Sequence, residues 1–199
     1  MVDIQGYLKE EQLKMLLNKY VIHRNHDHEE HVTQLALELF DAFKEGYGFA
    51  PEARSLLKYS AVLHDIGYYI DGKLHHKHTK YIILTDHLLK SVPKEIRSML
   101  AIVAGGHRKS IPAEIKTFDR STQENLLRLI ALLRTADVLD HQCVTGIGLQ
   151  QSAQKKDKLV IHLKKDCQEK LCKKINRKTA LLKEKFLLDI QMDDKILAN

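Results

Sequence analysis

The sequence predicts a mainly α-helical protein with a small α+β appendage at its C-terminal end. Three observations carry this expectation. Apolar residues recur at helical spacing through most of the first 141 residues. Gly and Pro number only 9 and 3 among 199 residues, while Leu, Lys and Glu are abundant. After about Cys143 the helical texture gives way to short β-rich runs. A chain of this length buries a real core in one domain and leaves room for a small additional unit. The expected division is a helical metal-binding domain over residues 1–142 and a basic α+β appendage over 143–199.

Helices are expected near Gly6–Tyr20, His26–Glu45, Pro51–Asp65, His76–Ser91, Pro93–His107 and Thr122–His141. Pro51 and Pro93 suit a first helical turn, and Gly46-Tyr47-Gly48, Asp71-Gly72 and Gly105-Gly106 mark breaks. Beyond them, Lys158–Leu163 and Phe186–Met192 read as strands on either side of a basic helix from about Asp166 to Lys183. Gly146–Gln151 reads as a third strand, paired with Lys158–Leu163 through the polar turn Gln154–Asp157.

No apolar run approaches the roughly 20 residues that span a bilayer, and the first residues lack a signal-peptide layout, so a soluble, cytoplasmic protein without a membrane partner is expected. Cys143, Cys167 and Cys172 are odd in number and show no C-x-x-C spacing, which speaks against a disulfide framework or a thiolate zinc site. The formal charge is +6 and the pI is near 9.1. From Gln151 to Lys185 there are 12 Lys/Arg against 4 Asp/Glu, a net of +8, whereas the first 150 residues balance at 19 against 19. Residues 151–185 therefore form either a polyanion surface, for nucleic acid or polyphosphate, or a solvated face. The lack of interleaved aromatics favours the solvated face.

Chemistry concentrates on the pair His64-Asp65, which terminates the apolar run Leu56–Leu63 just before Gly67, a residue suited to a helix stop. Adjacent helical residues point about 100° apart, so they grip one ion only at a helix end or with ligands from other elements. Other histidines cluster at His23, His26, His28 and His31, at His75, His76 and His78, and at His107. Projecting the stripe Val32, Leu35, Ala36 and Leu39 back along its helix places His28 within about 40° of the stripe's centre and His31 roughly 90° away. A buried, unpaired imidazole is costly, and a metal would satisfy it. His31 stays open as the alternate first ligand. The helix Leu126–Asp140 is apolar almost all round, so Asp137 within it needs a cationic partner. A metal and a salt bridge to Arg134 or Arg128 are the two candidates, and Asp140 suits a cap or ion pair at the helix end. No glycine-rich phosphate loop, G-x-S-x-G elbow or C-x-x-C pair competes.

The order His28, His64-Asp65, Asp137 resembles the H…HD…D pattern of the HD-domain metal-dependent phosphohydrolases, which are helical arrays. Four segments extend the likeness: Leu63–Tyr68, His75–Ile83, His107-Arg108-Lys109 followed by Pro112, and Leu133–Asp140. Together they resemble the C-terminal HD region of the exopolyphosphatase/guanosine pentaphosphate phosphatase (Ppx/GppA) family over roughly residues 20–192. The family's actin-like ATPase-fold domains, which carry its exopolyphosphatase site, have no counterpart in the sequence, so that activity is not carried over.

The resemblance implies a ligand set. His28, His64, Asp65 and Asp137 would surround one ion, and His78 and His107 would join a bridging Asp65 around a second. One or two divalent ions are implied, with Mn, Fe, Co, Ni or Zn suiting imidazole and carboxylate, and Mg an option. Asp65, Arg108 and Lys109 would be catalytic, and Arg108, Lys109, Lys77 and Lys80 would hold substrate phosphate. The implied function is hydrolysis of a phosphate ester of a small molecule, a nucleotide foremost, by metal-activated water. The rival readings are a non-catalytic module binding polyphosphate, a guanosine polyphosphate or RNA, and a domain whose metal is structural. The sequence leaves the oligomeric state open, with a homodimer compatible.

Overall fold

The structure, a computed structural model, describes residues 3–20, 27–108, 110–140, 144–150, 157–164 and 169–193. Among these the protein is mainly helical with a small C-terminal sheet. The helices are α1 (Glu10–Lys19), α2 (Asp27–Phe43), α3 (Ala53–Leu63), α4 (His75–Thr85), α5 (Lys94–Gly105), α6 (Arg120–Leu139), α7 (Glu169–Lys178) and α8 (Ala180–Phe186). Strands β1 (Val144–Gln150), β2 (Lys158–Leu163) and β3 (Asp189–Asp193) form a sheet in the order β1-β2-β3. No described helix is long and apolar enough to cross a membrane.

Helix α6 is the axis. Leu126, Leu129, Ile130, Ala131, Leu132, Leu133, Ala136, Val138 and Leu139 are all buried, so its apolar surface faces neighbours in every direction. Those neighbours are α2, α3, α5, α7 and α8. Its start is capped by Asp119, whose side chain accepts a 3.0 Å hydrogen bond from Thr122 N. The other helices each contribute an apolar stripe, such as Val32, Ala36, Leu39, Phe40 and Phe43 on α2.

Strand β1 pairs antiparallel with β2, and β2 pairs parallel with β3. The central strand β2 buries Leu159, Val160, Ile161 and Leu163. The turn expected to join β1 and β2 lies, at residues 154–156, outside the described residues, as do Cys143 and Cys167. Leu159, Ile161, Leu171, Ile175, Leu182 and Phe186 belong to the same buried cluster as α6, so the core runs unbroken from the helices into the region beyond residue 143.

Three boundaries differ from expectation. The basic helix expected over 166–183 is two helices, α7 and α8, and Phe186 ends α8 instead of opening a strand. The reason is packing. Leu182 and Phe186, four residues apart, bury one face of α8, and the Phe186 ring sits 4.7 Å from both Phe43 and Tyr47. The Tyr47 hydroxyl donates to the Phe186 carbonyl, and Leu187 follows in the left-handed conformation at φ 49°. The helix expected over His76–Ser91 breaks at Asp86, whose backbone is extended.

Asp86 also anchors α1. Its buried carboxylate accepts from Lys19 Nζ at 2.6 Å, the Tyr20 hydroxyl at 2.6 Å and Leu88 N at 2.8 Å. Burial pushes the carboxyl up, but the bonds from Lys19 and Tyr20 outweigh it and hold Asp86 below the usual range. A depressed native pKa contributes stability that is present above the unfolded value, about 3.9, and is lost as pH falls through the native one. Asp86→Asn should therefore cost about 1–3 kcal/mol at neutral pH. The deficit should shrink below about pH 4, as read by denaturant melts at several pH values.

Candidate metal centre and anion cavity

Helix α3 stops at Leu63, and His64 and Asp65 leave it in succession. His64 is still helical at φ −60° and ψ −29°, whereas Asp65 turns to φ −107° and ψ 1° and opens a 3-10 turn over Ile66–Tyr69. The turn lets both side chains serve one place. Thr79 on α4 stitches this corner: its hydroxyl donates to the His64 carbonyl at 2.8 Å and accepts from Gly67 N at 3.0 Å. Gly67 is needed for contact and not for a left-handed turn. A Cβ there would fall 2.0 Å from the His75 carbonyl oxygen and 2.3 Å from Thr79 N. The close approach brings the first residue of α4, His75, against Asp65.

Four imidazoles surround the Asp65 carboxylate with the same polarity. Nδ1 of His64, His75 and His107 lies 2.6, 2.8 and 2.6 Å from the carbonyls of Ala61, Gly72 and Ala104. A carbonyl only accepts, so each Nδ1 carries the proton and each Nε2 presents a lone pair. Nδ1 of His28 lies 2.5 Å from Asp140 Oδ2, which fixes the same tautomer on α2. The Nε2 atoms of His28 and His64 sit 3.7 and 3.6 Å from Asp65 Oδ2, and those of His75 and His107 sit 3.3 and 3.5 Å from Oδ1. His75 Nε2 and His107 Nε2 are 3.0 Å apart. His64 Nε2 is buried with no hydrogen-bond partner.

Burial holds His107 well below the usual histidine value and lowers His75 as well, so both are neutral at physiological pH. Neutral lone pairs aimed at a carboxylate repel it, and the arrangement is favourable only around a cation. Imidazole Nε2 ligands, each braced through Nδ1, are what a divalent transition ion takes, and the donors fall into two groups sharing Asp65: His28, His64 and Asp65, and Asp65, His75 and His107. The residues fit one ion in each group.

Beside this cluster opens a cavity of about 630 Å³. Five cationic side chains line it: Arg108, Arg134, Lys174, Arg177 and Lys178. Tyr68, stacked on His75 with ring centroids 3.8 Å apart, forms part of the wall. Arg134 Nε donates to the Gly106 carbonyl at 2.7 Å, and burial lowers its pKa. Asp137, in the last turn of α6, has Oδ1 3.9 Å from His28 Nε2 and Oδ2 2.7 Å from Lys178 Nζ. Burial would raise its carboxyl, but its neighbours, Lys178 foremost with His64 and His107 adding to it, together outweigh burial and hold Asp137 well below the usual carboxylate range.

The structure thus brings together His28, His64, Asp65, His107 and Asp137, with Arg108 on the cavity wall. The expected His78 lies outside both donor groups and the cavity lining, and His75 stands beside Asp65 and His107 in its place. The buried stripe of α4, Thr79, Ile82 and Ile83, projects back to within about 30° of His75 but about 90° from His78. That wheel argument was available from the sequence. His31 is the more exposed of the two α2 candidates, with 61% of its side chain accessible against 26% for His28. Lys77 is exposed and Lys80 pairs with Glu114 at 2.5 Å, and neither lines the cavity. Lys109 lies outside the described residues. Asp137 pairs with Lys178, a partner outside the sequence's two salt-bridge candidates; of those, Arg128 donates to the Tyr47 carbonyl at 2.8 Å. Sequence reasoning missed Tyr68, His75, Arg134, Asp140 and the α7 cations as parts of one site.

Gly67→Ala should destabilise the fold by at least about 2 kcal/mol, because the contact is with backbone that cannot yield cheaply. Its melting temperature should fall more than that of Gly46→Ala, where a Cβ meets nothing within 4 Å.

Over 120 residues the chain is 30% identical to a guanosine-5'-triphosphate,3'-diphosphate pyrophosphatase of Pseudoalteromonas atlantica, covering 59% of this chain and 24% of that one. The chain thus matches about a quarter of that relative's length. Residues 8–191 match the family described as Ppx/GppA phosphatase, domain III, and with nearly the whole chain inside that match the protein belongs to the Ppx/GppA phosphatase family through this domain.

Proposed function

We propose that the protein is a metal-dependent phosphohydrolase that cleaves a phosphate ester of a small molecule, with a nucleotide as the preferred class. One observation carries the reading: four proton-bearing Nδ1 atoms are tied back, so that four Nε2 lone pairs converge on Asp65, on the wall of a cavity lined by five cations. His28, His64, Asp65 and Asp137 would hold one ion and Asp65, His75 and His107 a second, with Mn, Fe, Co, Ni or Zn suited to the donors. When bound, such ions supply Lewis acidity toward a phosphoryl oxygen and an acidified water molecule.

The chain's own residues do the rest. Arg108 offers a planar fork for two phosphoryl oxygens, and Lys174 and Arg177, which line the same cavity, supply further positive charge. Asp140 keeps the His28 proton on Nδ1, and the Ala61 and Ala104 carbonyls do the same for His64 and His107. The name of the Pseudoalteromonas relative, a nucleotide pyrophosphatase, supports a nucleotide carrying adjacent phosphates. A second reading, a non-catalytic polyanion-binding module, is favoured by α7, where exposed Lys173, Lys174 and Arg177 extend the positive surface beyond the cavity. Such binding would be independent of metal and would weaken steeply with salt.

Elemental analysis of the purified protein decides first. About two transition ions per chain are expected in the wild type, none in Asp65→Ala and about one in His107→Ala. A metal-restored sample should hydrolyse members of a panel of nucleotides and a generic phosphodiester, and inactivity across the panel would overturn the catalytic reading. Asp140→Ala should weaken metal binding about 10–100-fold while leaving the helical content intact.

A further inference from the structure

Lys178 occupies a place the hydrolase reading does not require. It is the last residue of α7, and its ammonium bridges two parts of the proposed metal centre: Asp137 Oδ2 at 2.7 Å and the His107 carbonyl at 3.0 Å. Those two acceptors use two of its three donors, leaving one for the cavity it lines. The contacted carboxylate is the one acidic ligand contributed by α6, and its other oxygen already points toward His28. A full positive charge on a carboxylate opposes the arrival of a dication at that carboxylate, both by occupying an oxygen and by repulsion at short range.

We propose that Lys178 is an internal counter-cation that competes with the divalent ion for Asp137 and, once displaced, becomes a phosphate-binding group of the cavity. The inference rests on the metal-site reading. In the metal-free state the ammonium neutralises Asp137, which otherwise would be a poorly solvated charge. When an ion takes Asp137, the four-carbon stem lets the ammonium swing into the cavity beside Lys174, Arg177 and Arg108. Metal occupancy at the α6 end and anion affinity are then linked through one side chain. Thr179, whose hydroxyl is bound to the Ile175 carbonyl at 2.9 Å, keeps the backbone at this corner in place during the exchange.

The test uses the whole chain and two probes, Mn²⁺ and inorganic phosphate, followed by titration calorimetry. Lys178→Met should bind Mn²⁺ at least about tenfold more tightly than wild type, because one repelling unit charge at about 4 Å is removed. Lys178→Arg should stay near wild type. Lys173→Met, which removes the same charge from an exposed position paired with Glu169, should leave Mn²⁺ affinity unchanged. With Mn²⁺ present, phosphate should bind Lys178→Met more weakly by about tenfold, and without Mn²⁺ the variant and wild type should differ little. Lys178→Gln, which can still donate to the His107 carbonyl, serves where the Met variant fails to fold.

Unchanged or weaker Mn²⁺ binding in the neutral variants overturns the competition. Tighter Mn²⁺ binding with unaltered phosphate binding overturns the exchange. If wild type and variants alike bind no metal, the metal centre itself falls; that result is distinct from a wild type that binds metal and a variant that binds it no better.

Discussion

Everything in the site depends on a buried carboxylate, Asp65, with lone pairs of four imidazoles turned toward it. Asp65 is 4% exposed, and His64, His75 and His107 are each 1% or less. Such an arrangement has no intrinsic stability: desolvation and repulsion both oppose it. The surrounding fold must therefore hold it. The donors all come from helix ends. His28 is the second residue of α2, His64 follows the last residue of α3, His75 opens α4, His107 comes two residues after α5, and Asp137 lies in the last turn of α6. Helix ends also carry the backbone groups left without partners inside the helix. The Ala104 carbonyl near the end of α5 takes the Nδ1 proton of His107, and the Ala61 carbonyl near the end of α3 takes that of His64 while also accepting from His64 N at 3.4 Å. One bond thus caps a helix and selects a tautomer.

The same dependence explains where the rigid core must be. Helix α6 buries apolar residues along most of its length, and it packs against α2, α3 and α5, which position His28, His64 and His107. Small contacts set the register between these rods. Gly67 admits the backbone of α4, and Thr79 ties that helix to the His64 carbonyl. A shift of α4 by a fraction of an ångström would separate His75 from His107, whose Nε2 atoms stand 3.0 Å apart. Close packing makes such shifts expensive, so the core holds the geometry of the cluster by refusing to relax.

Much of this was legible in the sequence, and the reasons differ residue by residue. The helical array and the C-terminal sheet follow from periodicity, because burying a stripe every 3.6 residues leaves a clear trace. His28 could be separated from His31 because Val32, Ala36 and Leu39 mark the buried face of α2. His75 could have been separated from His78 in the same way, but resemblance to the family's order of histidines pointed to His78, a single turn from the residue that the fold brings to Asp65. The Lys178–Asp137 pair was not legible. It joins residues 41 positions apart, and no local pattern in a run of lysines marks the one that turns inward. The split of α7 from α8 was likewise hidden, since it is settled by Phe186 finding Phe43, Tyr47 and Phe49 far away in the chain.

The charge pattern then takes on a meaning that counting could not supply. The +8 segment is not a uniform surface: Leu171 and Ile175 bury one side of α7, and Lys174, Arg177 and Lys178 are carried to the cavity rim. Among the residues lining the cavity, five cations face three carboxylates, Asp65, Asp137 and Asp140. The excess is small while Lys178 is committed to Asp137. Each divalent ion placed among the Nε2 atoms would add two further charges to a partly enclosed space, where screening by solvent is weak. Anion affinity should thus follow metal loading, and a phosphorylated ligand would meet a strongly positive cavity only after the ions are in place. On that ordering, metal-linked anion binding and hydrolysis would share this one cavity, whereas metal-independent polyanion binding would rest on the exposed face of α7.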